Sequence, residues 1–354
     1  MNTNEGNASQ GRGANSNLAG RFESLSFEKD EDASADEDTG RLRTSFLYDD
    51  SQSILSKIDS EDLSFEYGLN PYRGCEHGCS YCYARTYHEY LGFSAGLDFE
   101  SQIVVKKDAP ALLEKALSRP GYRVGKIAMS GVTDCYQPVE RRLAVTRGCL
   151  EVMARYRQPV GVITKNALIA RDLDHLTDLA RWNAVAVYVS VTTLDPKLAR
   201  ILEPRASTPR ARLETLAKLS EAGVPCGVSA APMIPGLNDS ELPAIVEAAA
   251  NSGASFAFFT PVRLPGAVKQ VFEGWLDRHF PLRKDKIMGR IRVTHGGAVN
   301  TSTPRERMRG KGEPAGQLRA LFRAACRKHG LSHGSPELSC KNFRRLTPGQ
   351  DELF

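Results

Sequence analysis

Between residues 60 and 260 short runs of β-branched and apolar residues alternate with stretches whose apolar positions recur about every 3.6 residues. The runs predict strands at 64–70, 126–131, 160–164, 184–192, 225–230 and 255–259. The periodic stretches predict helices at 143–156, 170–182, 209–222 and 241–252. This alternation specifies a parallel sheet built from strand and crossover-helix units, an α/β fold. Start and stop signals agree with it: Ser207-Thr-Pro209 offers a cap before a first-turn proline, Asn238-Asp-Ser-Glu241 reads as a capped start, and Gly223 follows a helix end. An extra strand at 102–105 and a helix at 109–117 read as an insertion between the first two units. Strands that end in Ser, Thr, Asp or Gly and run into polar loops fit a barrel whose chemistry sits at the C-terminal strand ends.

Composition changes the picture at the two flanks. Residues 1–66 carry 15 acids against 6 bases, whereas residues 278–345 carry 17 bases against 4 acids, so the net charge of +5 hides opposite ends. The start is rich in Gly, Ser, Asn and Asp, and segments of that kind bury too little apolar surface to offset their ordering entropy. Residues 1–61 are therefore expected as an acidic disordered tail, 62–264 as the catalytic core and 265–354 as a mainly helical, basic extension. No apolar run approaches the roughly 18 residues of a membrane span, and the N-terminus lacks an apolar signal region. A cytoplasmic protein is expected, in a reducing compartment where disulfides are rare. Five of the eight cysteines (135, 149, 226, 326 and 340) are scattered and read as small buried hydrophobes.

The other three, Cys75, Cys79 and Cys82, stand within eight residues of one another in NPYRGCEHGCSYCYAR (70–85). Three readings are open: a closed zinc site completed by His77 or His88, buried free thiols, or a [4Fe–4S] cluster that leaves one iron free. His77 sits two residues from each of two cysteines, an awkward chelate, and the glycines around it mark a loop. His77 otherwise reads as an incidental loop residue, and the remaining histidines as surface or capping residues. No G-x-x-x-x-G-K-[ST] or G-x-G-x-x-G occurs in a phosphate-binding context.

The C-x3-C-x2-C spacing directly after a predicted strand, with aromatics at Tyr81 and Tyr83, resembles the signature of the radical S-adenosylmethionine (SAM) superfamily. SGVTDCYQPVERRLAVTRGCLE (130–151) and the stretch from SVTTLDPKLARILEPRASTPR to APMIPGLND (190–239) extend the likeness over roughly 62–345. Together these stretches resemble an uncharacterised radical SAM group related to spore photoproduct lyase. It implies a partial (β/α)6 TIM-type barrel, a [4Fe–4S] cluster on Cys75, Cys79 and Cys82, and SAM on the open iron. It also implies reductive cleavage to a 5′-deoxyadenosyl radical, fed by a low-potential electron donor of flavodoxin or ferredoxin type. Carried over by position, Tyr83 lies near adenine, Thr133 and Asp134 near the SAM amino group, Ser190 and Thr192 near ribose or carboxylate. Ile234 and Gly236 belong to the backbone that meets adenine. In spore photoproduct lyase a hydrogen-donating cysteine precedes the acid of the second strand. Gly131 stands there in this chain, and Cys135 and Cys340 are the candidate substitutes. A DNA repair lyase is the alternative within this chemistry, and a non-catalytic zinc-binding scaffold the alternative outside it. The basic run 278–345 makes nucleic acid a candidate partner, although Phe322 and Phe343 are the only Phe, Tyr or Trp residues between 290 and 350 to stack on bases.

Overall fold

The structure, a computed structural model, describes residues 11–22 and 42–346. Its strands are β1 (Ser45–Tyr48), β2 (Leu55–Lys57), β3 (Tyr67–Leu69), β4 (Tyr72–Arg73), β5 (Gln102–Val105), β6 (Ile127–Met129), β7 (Val160–Thr164), β8 (Val185–Ser190), β9 (Cys226–Met233), β10 (Phe256–Pro261) and β11 (Ser332–His333). β3, β6, β7, β8, β9 and β10 lie side by side in chain order and all parallel, and each overlaps one of the six predicted runs, β9 and β10 continuing to Met233 and Pro261 beyond the predicted ends at 230 and 259. β8 is buried at every position, as a strand covered on both faces must be. Helices Val145–Tyr156, Leu173–Arg181, Pro209–Glu221 and Leu242–Asn251 supply the crossovers. Burying one of their Leu or Val side chains contributes about 1.5–3 kcal/mol. Among the described strands the sheet has two edges, with antiparallel β2 beyond β3 and β11 beyond β10. The barrel is therefore partial.

Thr208 caps its helix by accepting from Ala211 N–H, with Pro209 in the first turn. Asn238 is a correction. Its side chain does not cap the following turn; Oδ1 accepts from Ile234 N–H (2.6 Å) and Nδ2 donates to Thr192 O (2.7 Å), tying the loop after β9 to the end of β8.

The N-terminal expectation is corrected at two places. Ser45–Tyr48 pairs in parallel with the predicted extra strand Gln102–Val105, and β4 completes this small sheet. Residues 11–22 lie against the core, with Arg12 and Ala14 buried. Residues 1–10 and 23–41 of the expected tail are outside the described residues. The C-terminal extension is mainly helical, as expected, through Val268–His279, Lys284–Thr294 and Gly312–His329. Its last residues run under the N-terminal strand ends: Asn342 donates to Trp182 O, Arg344 to Arg155 O, and Arg345 to Pro120 O and Tyr122 O. Part of the basic charge thus holds backbone. Among the described residues no helix is long and apolar enough to cross a membrane.

Candidate active site at the cysteine loop

The cysteine loop leaves β4 through Gly74 and turns again at Gly78, where φ is +68°. A Cβ at Gly78 would also stand 2.7 Å from Glu100 Oε2, so both the backbone angle and the space call for glycine there. Cys75 N–H donates to Phe99 O (2.8 Å) and Cys82 N–H to Cys79 O (3.3 Å). Cys75 and Cys82 pack with Ala84, Phe99 and Val132, and Cys79 joins Tyr81, Leu198, Ile234 and Val262. Burial pushes the Cys79 thiol up and raises Cys82 to about 11; nearby Lys165 pulls against both shifts. Thiols in such surroundings stay protonated until a metal displaces the proton. Among the described residues, no three His, Cys, Asp or Glu side chains converge on a point suited to one metal ion. Three thiols without a fourth protein ligand suit a cluster in which each binds a different iron, and in that sense the donor set fits.

Two buried carboxylates flank this loop. Glu203 accepts from Tyr81 Oη, from Arg212, and from Thr192 Oγ1 (2.6 Å), and lies 3.9 Å from Lys165 Nζ. Burial alone would raise its pKa, but Arg212 first and Lys165 second hold it down at about 2. Glu100 accepts from Arg85 (2.5 Å) and from the backbone N–H groups of Gly13 (3.0 Å) and Ala14 (2.8 Å). Arg85 in turn donates through Nε (3.1 Å) and Nη2 (2.9 Å) to Cys79 O. Arg85 and Glu100 are both 0% exposed. A Cβ on Gly13 would overlap Gly78 O, so the segment around residue 13 rests directly on the cysteine loop.

His77 is not incidental. It is 1% exposed, its Nδ1 lies 3.3 Å from Asp134 Oδ2, and its Nε2 lies 3.3 Å from Asn166 Nδ2. Asp134 also accepts from Tyr136 N–H (2.9 Å), Thr164 Oγ1 (2.8 Å) and Lys165 N–H (2.7 Å). Burial works to raise the Asp134 pKa, but His77 and these donors hold it below the usual carboxylate value. With both oxygens taken, Asp134 braces the loop after β6 against the end of β7. Its expected contact with a SAM amino group does not match that environment.

The other expected contacts divide. Thr133 Oγ1 donates to Gly74 O (2.8 Å), Thr192 is committed to Glu203, Ile234 N–H to Asn238, and Gly236 N–H to Asp239 Oδ1 (2.9 Å). Tyr83 donates to Gly131 O (2.5 Å) and carries the Arg263 guanidinium 4.5 Å from its ring centroid. Ser190 ends β8, buried, its carbonyl accepting from Arg212. The hydrogen-donor candidates require correction. Cys135 is 0% exposed within the main core, where burial drives its thiol pKa far up. Cys340 follows Ser339, which donates to Asn183 O just before β8, at the end of the barrel opposite the cysteine loop. His88 and His295 are buried, not surface residues; His88 lies against Phe93 and Phe99, and burial draws it down to about 4. Sequence reasoning missed Arg85, Glu100, Lys165, Glu203 and Arg212, whose importance lies in contacts across the fold. Arg85 stood inside the cysteine motif, and Glu203 and Arg212 inside the stretch 190–239, without being singled out.

Residues 69–249 match the family model described as the radical SAM superfamily. An uncharacterised protein of Mycobacterium bovis is 38% identical over 65% of this chain and 68% of its own. Another, from Methanocaldococcus jannaschii, is 27% identical over 61% of this chain and 77% of its own. Among solved structures, spore photoproduct lyase complexed with a dinucleoside spore photoproduct superposes with a TM-score of 0.59 at 18% identity, covering 81% of each chain. The partial barrel, the cysteine loop at the C-terminal strand ends and these matches together place the chain: it belongs to the radical SAM superfamily and is an enzyme of that class.

Proposed function

We propose that Cys75, Cys79 and Cys82 hold one [4Fe–4S] cluster and that the enzyme cleaves SAM reductively, so that the resulting 5′-deoxyadenosyl radical begins hydrogen abstraction from a substrate. The observation that carries this reading is the presence of three thiols on one loop, Cys75 and Cys79 buried and Cys82 half-buried, held from two sides through Arg85 and Tyr81. With SAM on its open iron, such a cluster supplies the electron that breaks the sulfonium bond. The chain's own residues do the rest. Val132, Ile234 and Val262 line the thiols with apolar surface that excludes water. Lys165 offsets negative charge gathered by the thiolates. Tyr83 and Ser190 are the residues we assign to orienting SAM. Cluster potentials span about −700 to +450 mV, and this chemistry calls for the low end and a strong reductant.

The lyase alternative is supported by the shared fold, but Gly131 offers no thiol and the Cys135 thiol is enclosed. We place it second, and a zinc-binding scaffold falls with membership of an enzyme family. The test is anaerobic reconstitution. A brown protein with about four irons per chain that releases 5′-deoxyadenosine from SAM with dithionite is expected. A colourless zinc protein inert toward SAM would overturn the reading.

A further inference from the structure

Beside Glu76 and His77 of the cysteine loop lies a cleft of about 370 Å³, with Pro138, Arg141, Asn166, Leu168, Arg205 and Ser207 in its lining. His77 stands between its lining and the Cys75 thiol. Arg205 N–H donates to His77 O (3.2 Å), the Arg205 guanidinium lies 3.1 Å from Glu76 Oε1, and Asn166 reaches the His77 ring. Glu76 and His77 are the residues that follow Cys75 in the chain, and the His77 side chain meets both the Cys75 thiol and cleft-lining Asn166.

The rim of the cleft is basic. Arg141 and Arg142 are exposed, Arg142 over the Phe46 ring, and exposed Arg43 precedes Thr44, whose hydroxyl accepts from Arg12 and meets Arg205. The acids on this face are buried and held: Glu76 by Arg205, Glu140 by Arg171, Asp172 by Arg147. Exposed Asp174 beside them is paired with Arg147, so the exposed charge left unpaired around the cleft among the described residues, on Arg43, Arg141 and Arg142, is positive, which attracts an acidic partner and speeds its encounter.

We infer that this cleft is where an acidic one-electron carrier protein, of flavodoxin or ferredoxin type, docks to reduce the enzyme. The inference rests on the proposed reductive cleavage. One electron leaves the carrier, which is oxidised, and crosses the Glu76–His77 layer to the metal group, which is reduced; no atom is transferred. A protein carrier fits better than nucleic acid because no aromatic side chain lines the cleft to stack on a base.

The experiment titrates an acidic flavodoxin against the full-length protein, following the flavin signal, and compares Arg43→Glu/Arg141→Glu with the control pair Arg323→Glu/Lys328→Glu on the exposed face of Gly312–His329. The cleft pair is expected to raise the dissociation constant at least about tenfold and the control pair less than about twofold. Raising ionic strength from about 50 to about 300 mM should weaken wild-type binding and barely affect the cleft pair. Flavodoxin-driven 5′-deoxyadenosine formation should fall with binding, whereas dithionite, which needs no docking, should support the wild-type rate. Unchanged flavodoxin affinity in the cleft pair, or a larger loss in the control pair, would overturn the inference. So would loss of single-stranded oligonucleotide binding with flavodoxin binding intact, which would assign the cleft to nucleic acid. Absence of dithionite-driven product in every protein would count against the proposed function, while the binding contrast still decides the docking surface.

Discussion

Glu203 and Glu100 are both buried, both matched by a single arginine and both in contact with the cysteine loop, yet they grip it differently. Glu203 takes hold of a side chain, Tyr81, and all its partners are side chains from the barrel and the loop. Glu100 acts through Arg85 on a backbone atom, the carbonyl of Cys79, and also draws in the N–H groups of residues 13 and 14 from far along the chain. A side-chain grip can be lost while the loop keeps its path. A backbone grip sets the path itself, so the Arg85–Glu100 pair should govern where the thiols stand and the Glu203 network how firmly the loop is seated.

The largest effect is expected from Arg85→Ala, which leaves Glu100 buried without its counter-charge. Breaking a buried pair in this way costs about 3–5 kcal/mol, read as a lowered denaturation midpoint together with loss of iron on gel filtration. Glu203→Gln should cost less, because an amide still accepts from Tyr81 and Thr192, and iron should be retained. Its signature is in the pH dependence. The native pKa of about 2 lies below the ordinary glutamate value of 4.5, so the stabilisation is complete above about pH 4.5 and is lost as pH falls toward 2. Urea midpoints of wild type should converge on those of Glu203→Gln across that window; a constant gap would refute the assignment. Deletion of residues 1–22 should have a smaller effect, since Glu100 keeps Arg85 and loses the two N–H donors and Arg12. A cost of about 1–3 kcal/mol is expected, with faster loss of iron to a chelator. If the truncated protein holds iron as tightly as the full chain, the N-terminal contact is not a support of the loop.

The six parallel strands were legible because each is a short apolar run bounded by turn residues, and VAVYVS, buried throughout, is the clearest of them. The cysteine loop was legible because thiol spacing is written locally. The supports were not. Glu203 and Arg212 meet across nine residues and a helix boundary, and Glu100 meets residues 13 and 14 across more than 80 residues, so no local period marks them. Gly-Arg-Gly-Ala (11–14) reads as a polar tail because its value lies in smallness and backbone donors, which composition scores as disorder. The same limitation hid the partners of Asp134 and Thr192: their residue types suit ligand contact, and their side-chain oxygens bond within the protein to Lys165, Thr164 and Glu203. Cys135 and Cys340 were indistinguishable as thiols in sequence and lie, respectively, in the core and at the far end of the barrel.

The most direct test is iron content and electron paramagnetic resonance of Cys75→Ala, Cys79→Ala and Cys82→Ala beside Cys340→Ala, all reconstituted anaerobically and reduced with dithionite. Loss of the reduced-cluster signal and of 5′-deoxyadenosine formation in each of the first three, with both preserved in Cys340→Ala, is the expected result. A wild-type signal and undiminished SAM cleavage in any one of the three would contradict the assignment of that cysteine and, in all three, the proposed site.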